Sequence, residues 1–83
     1  MTTDQIQNFL ASQKNADSLI RISFKKSHAL SGFFIHSPDF DDLRLKNFWR
    51  IVSEAHSEQW KKSKDFSLCR MFNGAEFTKL SVA

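Results

Sequence analysis

The chain is poor in the residues that break or staple a small fold. It has one cysteine, one proline and two glycines among 83 residues. A lone Cys69 forms neither an intramolecular disulfide nor a cysteine-based zinc site, and it fits a reducing compartment. Two glycines leave no phosphate-cradling loop. Tyrosine is absent, so no phenol is available as an acid or base. No apolar run approaches membrane-spanning length, and the amino terminus lacks the basic-then-apolar order of a secretory signal. These absences read as a cytoplasmic protein with no membrane span. Neither charge sign dominates: 12 basic and 9 acidic residues give a net +3. That balance permits nucleic-acid contact without requiring it.

Aromatic residues are abundant, with nine Phe and two Trp. A chain of this length buries roughly 60–65% of the surface its unfolded form exposes, so its core is modest. Aromatics suit such a core, because each buries a large area at small entropy cost. No repeat, low-complexity tract or linker interrupts the sequence, and one domain is expected over residues 1–83.

A helix is predicted over residues 3–14. Thr2 and Gln5 have capping-box spacing, Asp4 favours the first turn, and Ile6, Phe9 and Leu10 share a face. Lys14-Asn15 supplies its stop. Ile20, Ile22 and Phe24 alternate with Arg21, Ser23 and Lys25, which marks a half-buried strand. Leu30 to His36 forms a second strand, in which Gly32 predicts a bulge or sharp bend. In the third, Leu43, Leu45, Trp49 and Ile51 share one parity and Arg44, Lys46, Phe48 and Arg50 the other. Residues 53–64 are polar, with Ala55, His56 and Trp60 at helical spacing, and read as a helical insertion. Phe66 to Phe72 forms a fourth strand, with Cys69 buried in its middle, and Phe77 to Val82 a fifth. Asn73-Gly74 between them predicts a positive φ at Gly74. The expected fold is therefore mainly β with α. An N-terminal helix precedes a five-stranded, strongly bent antiparallel barrel over residues 18–82.

Gly74, Phe77 and Leu80 reproduce the spacing of the second signature motif of the Sm-like family, with Asn73 where Arg is usual. Gly32, Asp39, Leu43 and Leu45 resemble the first. The chain thus resembles a divergent member of the Sm-like, Hfq-type small β-barrel family over most of residues 4–82, apart from about 53–64. The resemblance implies a helix followed by a five-stranded bent barrel, ring assembly through the fourth and fifth strands, and non-catalytic association with single-stranded RNA. The family often places an Asn before the apolar alternation to hold a base; Asp42, flanked by Asp41, stands in that neighbourhood here.

The residues themselves offer one nucleic-acid surface. Arg44, Lys46 and Arg50 would neutralise phosphates around a stacking Phe48, helped by Lys61 and Lys62. An ordinary solvated strand face explains the same pattern, and a solvated helix end beside a core Trp60 explains the lysines. Asp39, Asp41 and Asp42 lack the ligand run and turn glycine of a calcium loop and read as a turn cluster, expected to face away from any nucleic acid. His28, His36 and His56 have no metal-ligand spacing. No nucleophile, dyad or metal set points to an enzyme or a cofactor. Two readings remain: RNA association, and a protein–protein interaction module of SH3-like barrel type with no nucleic-acid role. In both, homo-oligomers are expected, because an open barrel leaves strand edges unpaired.

Overall fold

The computed structural model describes residues 1–13, 18–26 and 28–83. It is a small mixed α/β domain in which a helix precedes a five-stranded antiparallel sheet. The chain runs α1 (Thr3–Ser12), β1 (Ile20–Phe24), β2 (Leu30–Phe34), α2 (Phe40–Leu45), β3 (Phe48–Ser53), α3 (Ser57–Ser63), β4 (Arg70–Asn73) and β5 (Phe77–Val82). Single 3-10 turns cover Glu54–His56, Phe66–Leu68 and Gly74–Glu76. The order across the sheet is β4-β3-β2-β1-β5, so β4 and β5 are its edges.

Helix α1 starts where the sequence places it. The Thr2 hydroxyl accepts from the Gln5 N–H, and the Gln5 side chain accepts from the Thr2 N–H. This box satisfies two of the donors that a helix start leaves free. Ile6 is fully buried, while Phe9 and Leu10 pack partly buried against the core. The proposed stop at Lys14-Asn15 lies outside the described residues.

The sheet wraps around Trp49, Ile51, Ile22 and Phe77, with Ile6 closing over them. Phe24 on β1 touches Phe72 of β4 at 5.5 Å and Phe77 of β5 at 5.4 Å between ring centroids. The sheet is thus bent enough for rings from both edge strands to meet on one side chain. In β5 the two apolar anchors, Phe77 and Leu80, are three apart, a spacing a regular strand places on opposite faces. The register resolves this. Ser23 pairs with Lys79 but Phe24 pairs with Phe77, so Thr78 has no counterpart in β1. The extra residue turns both anchors inward, as a β-bulge does.

Several expectations are corrected. The long third strand does not form: residues 40–45 are the helix α2, and β3 begins only at Phe48. Asp41 and Asp42 sit in the first turn of α2 and Arg44 in its last, matching the helix dipole. Phe40 packs edge-on to Trp49 at 5.8 Å, and Leu43 is half-buried one turn on. The fourth strand is also shorter. Phe66–Leu68 is a 3-10 turn capped by the Asp65 carboxylate, so Cys69 is a half-buried junction residue rather than the middle of a strand.

Both glycines serve close approach. Gly32 pairs in regular register with Ile20 and Ser53, without a bulge. A Cβ there would meet the Val52 carbonyl oxygen at 2.6 Å. Gly74 does not have a positive φ; it opens the last 3-10 turn and is buried. The left-handed positions are instead Asn47 (φ 62) and Lys64 (φ 53).

Candidate interaction surfaces

The proposed nucleic-acid surface is divided by the fold. Arg44 lies in the last turn of α2, Lys46 caps that helix, and the left-handed Asn47 reverses the chain before Phe48 and Arg50 enter β3. Phe48 is half-buried. Both arginines are already paired: Arg44 Nε lies 2.9 Å from Asp41 Oδ1, and Arg50 Nη2 lies 2.8 Å from Asp39 Oδ2. Two members of the acidic trio therefore share this surface rather than face away from it. Each neutralises one of the cations assigned to phosphate.

The Asp39–Arg50 pair has a structural purpose. The buried Ser37 hydroxyl also donates to Asp39, so the turn into α2 is tied to β3. The Arg50 hydrogen bond, then that of Ser37, holds the Asp39 carboxyl down at about 2 against an ordinary 3.8. A lowered carboxylate pKa means that the unfolded chain binds more protons in the window between the two values. The stability this pair contributes is present above about pH 4 and fades as the pH falls toward 2. Asp39→Asn is expected to flatten the pH dependence of the urea midpoint between pH 2 and 5. An unchanged profile would show that the pair is idle.

Lys61 and Lys62 lie in the last turn of α3, where the helix dipole favours cations. Lys61 stands over the Phe33 ring at 5.8 Å, and Lys64 over Trp60 at 5.5 Å. Trp60 is half-buried and meets Phe66 edge-on at 5.3 Å, outside the main core. None of the three lysines joins an ion pair among the described residues.

Two features escaped sequence reasoning. The first is a polar node around Asn47. Its Oδ1 accepts from the indole N–H of the buried Trp49, its Nδ2 donates to the Met1 carbonyl, and its backbone carbonyl accepts from the Gly74 N–H at 2.7 Å. The α-amino group of Met1 donates to the carbonyls of Gly74 and Phe77 at 2.9 and 2.8 Å. The second is a groove of about 540 Å³ beside β4, walled by the β1–β2 connection. Phe24, Leu30 and Met71 give it an apolar floor, while Lys26, His28 and Arg70 stand around it with Glu76. Its residues are far apart in sequence, and only the bend of the sheet joins them. Another cavity, of about 400 Å³, lies between α1 and the sheet, lined by Leu10, Ile20, Phe34 and Phe40.

Burial pushes the Cys69 thiol up, against a smaller opposing pull from Arg50. Among the described residues, no group of three or more His, Cys, Asp or Glu side chains converges as a metal ion would need. No described helix is long and apolar enough to cross a membrane. Comparisons with protein-family models, curated proteins and solved structures give no match for this chain.

Proposed function

We propose that this protein is a non-catalytic interaction module of the Sm-like or SH3-like bent-barrel type. It holds protein partners, copies of itself first, along the open side of β4. One observation carries this reading. Strand β4 is hydrogen-bonded to β3 alone and presents Met71, 49% exposed, beside the groove. An unpaired strand edge with exposed apolar side chains is a template for another chain. The meeting of Phe72 and Phe77 on Phe24 supports barrel-like curvature.

Hydrogen exchange at two protein concentrations tests it. Amides of Arg70–Asn73 that do not bond to β3 should exchange more slowly as concentration rises from the low to the high micromolar range. Rates that ignore concentration would remove β4 as the contact.

RNA association is the second reading, favoured by Lys61, Lys62 and Lys64, which join no ion pair among the described residues and of which Lys64 stands over Trp60. It locates phosphate contacts on α3 rather than on β3. Oligouridine binding, followed by anisotropy, would then weaken in Lys61→Ala/Lys62→Ala and change less in Arg44→Ala/Arg50→Ala. Equal losses in both pairs, or no binding at low salt, would remove this reading.

A further inference from the structure

The groove beside β4 and the exposed face of α2 are complementary in charge. Leu45 is the most exposed of the large hydrophobic residues, at 77%. Asp41 and Asp42 precede it by four and three positions, so all three share one helix face. Asp41 is partly answered by Arg44, while Asp42 has no ion-pair partner among the described residues. The face is thus an apolar knob flanked by carboxylates. The groove is its counterpart, an apolar floor ringed by Lys26, Arg70 and His28 against the single carboxylate of Glu76. No residue of α2 lines the groove, so each copy carries both surfaces.

We propose that α2 of one copy docks into the β4 groove of a neighbouring copy, with Leu45 inserted and Asp42 facing Arg70 and Lys26. This rests on the reading of the chain as a self-associating module and names the two surfaces that meet. The contact joins two different patches, so it closes as a reciprocal pair or a ring where the rotation allows and otherwise runs on as an open filament. The occupant is protein rather than nucleic acid because the aromatic face a base would need is taken. Phe72 has the Arg70 guanidinium 5.2 Å from its centroid and the Phe24 ring at 5.5 Å. Arg70 is exposed and joins no ion pair among the described residues, so its guanidinium is available to a carboxylate fork.

Charge reversal and rescue provide the test. Sedimentation velocity at tens of micromolar would compare the wild type with Leu45→Asp, Arg70→Glu and Asp42→Lys. Asp42, Leu45 and Arg70 are exposed, so the variants should fold, and circular dichroism checks this. Each is expected to weaken association about tenfold or more. An equimolar mixture of Arg70→Glu and Asp42→Lys should regain it, because the acidic knob of the first fits the basic groove of the second and the reversed pair fits too. Undiminished assembly in Leu45→Asp and Arg70→Glu would overturn this docking and leave self-association standing. A wild type that stays at 9.6 kDa would overturn both. A monomeric wild type that binds a labelled peptide of alternating Glu and Leu would assign the groove to a foreign acidic segment instead.

Discussion

Gly74→Ala is expected to lower the unfolding free energy by about 2–4 kcal/mol, although it adds a single methyl group. A Cβ at this position would collide with Asn47 Oδ1 and lie 2.6 Å from Ile6 Cδ1. Ile6 is fully buried, so its Cδ1 must find a new position inside a packed core. Asn47 cannot yield without giving up the Trp49 indole N–H, which is buried with its ring. The cost therefore combines overpacking with the loss of a buried hydrogen bond. A domain of this length has roughly 4–12 kcal/mol of total stability, so the loss is a large share. Urea unfolding measures it directly. A midpoint equal to the wild type would mean that the α1–Asn47–Gly74 contact is loose.

Asn47→Ala is expected to cost a similar amount, about 2–4 kcal/mol, from two separable sources. An indole N–H only donates, so the amide oxygen must face Trp49 and the NH₂ group must face the Met1 carbonyl. Alanine removes both bonds and leaves the buried indole without its acceptor. It also takes up a left-handed φ of 62°, which Asn tolerates and Ala resists. Asn47→Gly separates the two effects: it relieves the backbone but not the side chain, and should recover about 1 kcal/mol relative to Ala. Asn47→Asp keeps the acceptor for Trp49 and loses the donor to Met1. If Ala, Gly and Asp all unfold at the wild-type midpoint, the node contributes nothing.

The fold was legible where one signal dominated. The Thr2–Gln5 box and the Ile6–Phe9–Leu10 face mark α1. Ile20 and Ile22, buried on either side of the exposed Arg21, mark β1. Phe77 to Val82 forms β5 with the expected bounds. Legibility failed at residues 40–45, where two periodicities fit the same residues. Leu43 and Leu45 alternate as in a strand, yet Phe40 and Leu43 are one helical turn apart. Tertiary packing of Phe40 on Trp49 agrees with the helix, and Leu45 is left in solvent. That misreading also displaced the proposed nucleic-acid surface, because Arg44 and Lys46 were placed on a strand face that does not exist. The Asn73-Gly74 pair signals torsional freedom at Gly74, whereas Gly74 has no positive φ and instead lies where a Cβ has no space. The neighbour that crowds it, Asn47, is 27 positions away, and no local pattern signals so distant an approach. The groove is likewise a product of sheet curvature, which residue order alone does not specify.

Sedimentation equilibrium tests association between chains most directly. Runs from about 1 to 100 μM detect dissociation constants well into the micromolar range. The weight-average mass should rise above the 9.6 kDa protomer as concentration increases. It should fall back toward that value in Leu45→Asp. A mass fixed at 9.6 kDa across the whole range would contradict the account.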